Sequence, residues 1–459
     1  MATVSTGRHP EAEQPSSEQT RPGGAGGRPG PRSHPSPSSP TTGADAPAGT
    51  RPRPGRSLLS GLLTCLLPCL ASLFVAGKSW GAGLIPWKPR QADLEVYLRA
   101  GRALLSGADP YHLPDSLPFL YPPFAAILAV PMTWLPHGLV LAGWAIGIGL
   151  STTAILHRLG LTGWRLSLVS AATVLVVEPV NQTTAFGQLG VFLVALVLLD
   201  LVAGPRAITV PARIRRGRWL PEGVLVGLAT AIKLTPGLFF VYLLAIRRFR
   251  AAAVSIATMI ICCGLALLAA PRTSIDFWSR LLHGDSGLGS SIVYLINQSI
   301  LGASTRILGY NTVGNAIGLA LAVIAAALGV IVGVVWHRRG DEMMAVVLCG
   351  VATLLASPVS WSHHFVWVMP LGYLLAVRTG WPDWFRVLGW LFVGWVVAAP
   401  YKFLPSGDDL ELKYRWWQEI FGATTPVLGL AVLVAAWLVG RRRPAAPSAD
   451  SVAEVGTDR

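Results

Sequence analysis

The chain has 459 residues, of which 52% are hydrophobic and only 13% are charged, against roughly 25% charged residues in an ordinary soluble domain. This composition excludes a soluble globular protein and predicts an all-α polytopic membrane protein. The net charge of +14 does not indicate a nucleic-acid partner, because the basic residues form short clusters between apolar runs, such as RRFR at 247–250 and HRR at 337–339. Clusters of this kind are typical of cytoplasmic loops.

The composition divides the chain into three parts. Residues 1–56 are rich in Pro, Gly, Ser and Thr, which predicts a disordered cytoplasmic tail. The membrane domain is predicted to run from 57 to 440 and to be followed by a second disordered cytoplasmic tail, 441–459. With both tails in the cytoplasm the number of transmembrane helices is even, and about twelve fits, although residues 122–156 and the short hairpins between there and residue 250 leave neighbouring values open.

One polar stretch, 93–124, follows the first apolar segment and is predicted to lie on the outer side of the membrane. Its first part has helical periodicity, which puts Asp93 and Tyr97 on one face and Glu95 and Arg99 on another. An acid at the start of an amphipathic helix can serve as a base for a substrate at the membrane face. It can equally be an acid that the helix dipole stabilises.

This outer helix is expected to end at Gly107, as a C-terminal glycine commonly does. Asp109, Pro110 and Tyr111 then predict a turn. Tyr121 stands in front of two prolines, which are tolerated in a first helical turn. The chain therefore re-enters the membrane there.

Two later apolar segments are each broken by polar residues. Residues 166–202 are interrupted at 178–188, which contains Glu178 and Gln188, and residues 220–246 are interrupted at Lys233. The arms of the second segment span about 18 Å, which is shorter than the ~30 Å hydrocarbon core. Broken backbone and charge at that depth are tolerated only against protein or water. These three side chains are therefore predicted to line a cavity, with Lys233 either binding phosphate or reaching to an interface.

Two further polar motifs are predicted to meet the outer face, namely NQS at 297–299 and SPVSWSHH at 357–364. Adjacent residues on a helix diverge by about 100°, so at most one of His363 and His364 is expected to face a site. No HExxH or other ligand spacing is present, and the five cysteines lie in apolar segments. The sequence therefore predicts neither a metal site nor a disulfide.

The motifs resemble those of the actinobacterial polyprenyl-phosphate-mannose-dependent α-(1,2)-mannosyltransferases, which belong to glycosyltransferase family 87 of the GT-C superfamily. The resemblance covers residues 57–440. The motifs that carry it are D-L-x-V-Y-L-x-A-G-R-A-L-L-x-G at 93–107, F-L-Y-P-P-F-A-A at 119–126, E-P at 178–179 with G-Q at 187–188, K-L-T-P at 233–236, N-Q-S at 297–299 and S-P-V-S-W-S-H-H at 357–364.

The resemblance implies a GT-C fold in the cell membrane, with an outward-facing active site and no cofactor or metal. It implies polyprenyl-phosphate-mannose as the donor, a glycolipid such as a phosphatidylinositol mannoside as the acceptor, and Asp93 as the catalytic base. The residues expected to bind the substrates are Tyr97, Tyr121, Glu178, Gln188, Lys233, Asn297, Gln298, His363 and His364.

Two alternatives stay open at this point. A related transferase acting on lipomannan-type or other cell-envelope glycans would need the same kinds of residue. A lipid or solute transporter would also explain short broken hairpins and buried charge. Internal inverted repeats would favour the transporter, and none is visible in the sequence.

Overall fold

The structure is a computed structural model, and it describes residues 54–78, 91–113, 117–203, 220–284, 287 and 292–441. The chain divides into two units, 1–52 and 53–459. The tails predicted at 1–56 and 441–459 lie almost entirely outside the described residues. Their disorder and their cytoplasmic location therefore stay predictions.

The described residues are helical, and the β-type pairing recorded among them is a single antiparallel bridge between Asn297 and Trp361. In chain order the α-helices are α1 (Pro54–Lys78), α2 (Ala92–Ser106), α3 (Pro123–Ala129), α4 (His137–Arg158), α5 (Gly163–Val176), α6 (Glu178–Phe186), α7 (Gly190–Leu201), α8 (Val224–Ile232), α9 (Leu238–Ala245), α10 (Phe249–Ala269), α11 (Pro271–Leu282), α12 (Ile300–Leu308), α13 (Thr312–Arg338), α14 (Glu342–Ala356), α15 (Val368–Val377), α16 (Asp383–Ala398), α17 (Trp416–Gly422) and α18 (Thr424–Arg441). Short 3-10 helices lie at Val130–Trp134, Thr235–Gly237, Ser362–Trp367, Pro400–Phe403 and Leu410–Lys413.

Six of the helices among the described residues are long and apolar enough to cross a membrane: α1, α4, α10, α13, α16 and α18. Helices α5 and α6 would add a seventh crossing if the two, which meet at a bend of 74°, form one span. The outer surfaces of the long helices expose large apolar side chains, for example Leu268 on α10 and Ile324 on α13. The chain is therefore a polytopic helical membrane protein, whereas the predicted count of twelve spans stays a prediction.

Helix α14 forms the centre of the bundle. Every residue from Met343 to Leu355 is buried, which explains why this segment is apolar on all sides. It packs along α13, where a Cβ atom built on Gly329 would lie 2.1 Å from Cβ of Ala352. The absence of a side chain at Gly329 therefore permits the close approach of the two helices.

The polar stretch after α1 folds much as its sequence predicts. Helix α2 covers Ala92–Ser106 and ends at Gly107, whose φ of 73° is left-handed. Pro123 occupies the first turn of α3. Both broken apolar segments are also present, because α8 stops at Lys233, and α5 gives way to the short polar helix α6.

Candidate active site

A large cavity of about 1050 Å³ opens beside the first turn of α2. This volume is at the upper end of the range for small-molecule sites. Six of the residues singled out from the sequence line it: Asp93, Tyr121, Gln188, Lys233, His363 and His364. They come from five separate stretches of chain, so the fold gathers the polar motifs around one space.

The start of α2 is anchored to the end of α6. Gln91, in the left-handed region with φ 58°, donates from Nε2 to the carbonyl oxygens of Thr184 at 3.0 Å and Ala185 at 3.1 Å. Its backbone N–H also donates to the carbonyl of Ala185, at 3.0 Å. These bonds fix the position from which Asp93 projects into the cavity.

Gly187 makes this junction possible. Its φ is 72°, and a Cβ atom at this position would lie 2.5 Å from Cβ of Leu94 and 2.6 Å from Oε1 of Gln91. A side chain would therefore be strained by the backbone and would also collide with α2. Gln188, the next residue, is directed toward Asp93.

A hydrogen-bond network surrounds the Asp93 carboxylate. Oε1 of Gln188 accepts from the hydroxyls of Tyr97 at 2.9 Å and Tyr121 at 3.1 Å. Burial raises the pKa of Asp93 to about 6, while a hydrogen bond with Gln188 and the charge of Lys233 act to lower it. Oδ2 of Asp93 is buried and has no partner among the described residues, so one carboxylate oxygen can accept a proton from a substrate.

Lys233 and His364 form the second polar feature of the cavity, with 3.1 Å between Nζ and Nε2. The Nδ1 atom of His364 receives the backbone N–H of Trp361 at 3.1 Å. A backbone N–H can only donate, so we infer that the neutral ring carries its proton on Nε2. The ammonium group also only donates. Two donors thus face each other, and an anionic oxygen placed beside them would accept from both.

Both adjacent histidines line the cavity, although at most one was expected to do so. The expectation rested on the angle between adjacent residues, whereas both residues lie in the first turn of the 3-10 helix that begins at Ser362, and their ring centroids are only 4.7 Å apart. The two rings are nearly perpendicular, at 83°. His363 stacks on Phe186, and its buried Nε2 has no partner among the described residues. It can therefore bond a substrate hydroxyl.

Asn297 and Gln298 lie behind the cavity wall, and neither is among the residues that line it. Asn297 accepts the backbone N–H of Ser360 at 3.0 Å and donates to the carbonyls of Ile292 and Pro358. Gln298 donates from its side chain to the carbonyl of Leu295 at 2.6 Å and from its backbone N–H to the carbonyl of Ser360 at 2.8 Å. In this structure the two residues hold the histidine-bearing loop in place, and substrate binding by them stays a prediction.

Glu178 is fully buried and forms an ion pair with Lys402. Glu178 was expected to line the cavity with Gln188 and Lys233, but it is not among the lining residues. Lys402 belongs to a charged loop visible in the sequence, yet no local pattern indicates that the loop folds back onto α6. A direct role of Glu178 in substrate binding also stays a prediction.

Tyr97 contacts the network without lining the cavity. Arg280 and Trp361 do line it but were not singled out from the sequence. Arginine in an outer segment and tryptophan near a membrane interface are common in membrane proteins, so neither residue type indicates a site by itself. Among the described residues no group of three or more His, Cys, Asp or Glu side chains is arranged to hold a metal ion. The cavity therefore contains a carboxylate that can act as a base, Asp93, and two donors that can bind an anion, Lys233 and His364.

The chain is similar to known glycosyltransferases along most of its length. The sequence model of glycosyltransferase family 87 matches residues 119–358. A polyprenol-phosphate-mannose-dependent alpha-(1-2)-phosphatidylinositol mannoside mannosyltransferase of Mycobacterium tuberculosis is 31% identical, with 84% of this chain and 93% of the relative covered. A protein of the same name from Mycolicibacterium smegmatis is 30% identical, over 81% of this chain and 89% of its own length.

A further relative is the polyprenol-phosphate-mannose-dependent alpha-(1-2)-phosphatidylinositol pentamannoside mannosyltransferase of M. tuberculosis. It is 30% identical, over 76% of this chain and 81% of its own length. No solved structure matches the chain. The family match spans more than half of the chain, and the relatives are similar along most of it. The chain belongs to glycosyltransferase family 87.

Proposed function

We propose that this protein transfers mannose from polyprenyl-phosphate-mannose to a phosphatidylinositol mannoside and forms an α-(1,2) linkage with inversion. The observation that carries the proposal is the shared cavity, which Asp93 lines together with the Lys233–His364 pair. The mycobacterial relatives are mannosyltransferases that use this donor and phosphatidylinositol mannosides. Their similarity over most of the chain supports the same substrate classes here.

In the proposed mechanism the acceptor is the 2-hydroxyl of a terminal mannose. Asp93 takes its proton while the oxygen attacks the anomeric carbon of the donor. The bond from that carbon to the phosphate oxygen breaks, and polyprenyl phosphate leaves with the electron pair. General base assistance of this kind typically contributes about 10²–10⁴-fold to the rate.

The leaving phosphate needs donors that are already in place when its charge develops. The Lys233 ammonium and the His364 Nε2–H supply two that converge on one point. Phosphate is a good leaving group, so we propose that these donors serve where other glycosyltransferases use a metal ion. We therefore expect transfer to continue in EDTA.

The acceptor side of the cavity is assigned to the region around His363 and Asp93. The unpartnered Nε2 of His363 can bond a sugar hydroxyl and so hold the mannose ring beside the base. Such positioning contributes through orientation, because a near-attack geometry removes much of the entropy barrier. Tyr97, Tyr121 and Gln188 would keep Asp93 in the matching orientation.

We also propose that the cavity faces the extracytoplasmic side of the cell membrane. The basic ends of α4, α13 and α18, at Arg158, Arg338 and Arg441, support this orientation. Under the positive-inside rule these ends lie in the cytoplasm. The donor would then be used on the face opposite to them.

The test is a transfer assay with purified protein in lipid nanodiscs, radiolabelled polyprenyl-phosphate-mannose and a panel of mannosylated lipids and glycans, followed by linkage analysis. Wild type should form an α-(1,2) product on a phosphatidylinositol mannoside. Asp93→Asn, which keeps the shape but not the base, should be slower by about 10²–10⁴-fold. Normal turnover by Asp93→Asn would show that Asp93 is not the base. Failure of the wild type to transfer mannose to any acceptor would reject the proposed function.

A further inference from the structure

A second cation lies in the wall of the same cavity. Arg280 stands near the end of α11, which begins directly after the membrane-crossing helix α10. Helix α11 is amphipathic, with Phe277 buried toward the bundle and Leu282 85% exposed on another side. A helix of this kind at the end of a span lies along the headgroup boundary of the membrane. Arg280 therefore reaches the cavity at the level of lipid headgroups.

The guanidinium group of Arg280 rests on a fixed aromatic platform. Its central carbon lies 4.6 Å from the centroid of the Tyr111 ring. Tyr111 stacks on Phe277, with centroids 5.5 Å apart and planes at 26°. Its hydroxyl donates to the carbonyl of Tyr121 at 2.8 Å. A ring held at both its face and its hydroxyl orients the guanidinium before any ligand arrives.

No carboxylate neutralises this cation within the part of the chain that the structure describes. Asp276, one helical turn earlier, forms no ion pair with it. Asp109, near Tyr111, is instead engaged by the backbone N–H of Tyr111 and by His112. Nε of Arg280 is buried and has no hydrogen-bond partner among the described residues. The guanidinium group of Arg280 can therefore donate hydrogen bonds to a ligand in the cavity.

Lys233 and His364 already provide the proposed site for the donor phosphate, so a separate cation in the same cavity suits a second anion. A guanidinium fork matches a phosphate group with two parallel hydrogen bonds. A phosphatidylinositol mannoside carries one phosphodiester, which joins its glycan to the acyl chains at the headgroup level. An amphipathic helix at the end of a span is expected at this same level, and Arg280 lies on such a helix, α11.

We propose that Arg280, seated on Tyr111, binds the phosphodiester of the anionic glycolipid acceptor and thereby selects a phospholipid-linked acceptor over a neutral glycan. This inference rests on the proposed function, because it names the acceptor site of that reaction. In this proposal Arg280 contacts the phosphodiester and not the bonds that change, so it acts on specificity. Its removal should therefore affect acceptor affinity more than the chemical step.

The experiment compares wild type with Arg280→Gln, Arg280→Lys and Arg272→Gln in nanodiscs of uncharged phosphatidylcholine. Arg272 is the matched control, because it lies on the same helix and is exposed but does not line the cavity. Two acceptors are used: a phosphatidylinositol mannoside, and an alkyl mannoside that has the same terminal sugar but no phosphate. Steady-state transfer gives KM and kcat for each acceptor and KM for the donor.

Arg280→Gln should raise the KM for the phosphatidylinositol mannoside by about 10- to 100-fold, the loss expected for charged hydrogen bonds. It should leave kcat, the donor KM and the KM for the alkyl mannoside within about twofold. Arg280→Lys should recover part of the affinity, because it keeps the charge but not the fork. Arg272→Gln should behave as wild type.

An unchanged acceptor KM in Arg280→Gln would overturn the proposal, as would an equal loss with both acceptors. A rise in the donor KM would assign the guanidinium to the donor phosphate and would overturn it too. Binding of plain phosphatidylinositol, measured by native mass spectrometry, needs no turnover and should weaken at least about tenfold in Arg280→Gln. If wild type transferred mannose to neither acceptor, the proposed function would fail. The binding measurement would then test the Arg280 site by itself, and equal binding of phosphatidylinositol by wild type and Arg280→Gln would reject that site.

Discussion

The Asp93 carboxylate sets the expected pH dependence of the reaction. Burial raises its pKa to about 6, and only the ionised form can accept a proton from the acceptor hydroxyl. We therefore expect kcat/KM to fall tenfold per pH unit below about 6. Initial rates measured at low substrate concentration report this pKa, because the pH dependence of kcat/KM reflects ionisation of the free enzyme.

Gln188→Leu provides the matched comparison for the pH profile. The hydrogen bond from Gln188 lowers the pKa of Asp93, so its loss should raise the pKa and move the acid limb to higher pH. The same substitution leaves the Tyr97 and Tyr121 hydroxyls without their shared acceptor. An acid limb that stays in place, or moves to lower pH, would mean that another group controls the rate.

At the level of single residues, the sequence predicts the placements that depend on helical periodicity. Asp93 and Tyr97 were expected on one face of a helix, and both join the same network around Gln188. The contact between Lys233 and His364 joins residues 131 positions apart. No local pattern encodes such a distance, so the sequence indicated the two residues but not their pairing.

At the level of structural elements, the junction between α6 and α2 controls where Asp93 points, and Gly187 controls the junction. Gly187→Ala would place a Cβ atom 2.5 Å from Cβ of Leu94. We expect α2 to shift, with a loss of about 1–3 kcal/mol in unfolding free energy and at least about tenfold in transfer rate, since small misplacements of reacting groups are strongly felt. Thermal unfolding in nanodiscs and initial rates measure the two effects.

Gly107→Ala is the control for this substitution. Gly107 also ends a helix, with φ 73°, but nothing lies within 4 Å of the added atom. It therefore carries the backbone strain of a left-handed alanine, about 1 kcal/mol, without the collision. Equal losses of activity in the two variants would show that strain alone matters, and that the contact with α2 does not position the base.

The sequence predicted the elements that have a local signal. The amphipathic helix α2, its glycine end and the break at Lys233 are all present. The polar interruption at 178–188 was expected to break an apolar segment, and most of it forms the separate helix α6, bent by 74° from α5. That geometry depends on tertiary contacts, such as the pairing of Glu178 with Lys402, which hydropathy does not encode.

At the level of the whole molecule, the number of membrane crossings is the least predictable feature. Hydropathy identifies helices of about 20 residues, and six such helices are found among the described residues. Shorter apolar helices such as Gly190–Leu201 and Glu342–Ala356 can cross, re-enter or remain inside the bundle. Helix α14 is buried on all sides, so its apolar sequence reflects packing against protein as much as contact with lipid.

The orientation of the molecule gives a prediction that needs no substrate. His112 is exposed next to Tyr111 at the cavity, whereas Arg338 is the exposed last residue of α13, a helix of 27 residues. That helix is about 40 Å long, so its basic end is expected at the opposite membrane face, in the cytoplasm. In intact cells a membrane-impermeant maleimide should label His112→Cys and should label Arg338→Cys only after permeabilisation. The unsubstituted protein gives the background from its native cysteines, which among the described residues all lie within α1, α10 and α14. The reverse labelling pattern would put the cavity in the cytoplasm and would contradict the proposed use of the donor on the outer face.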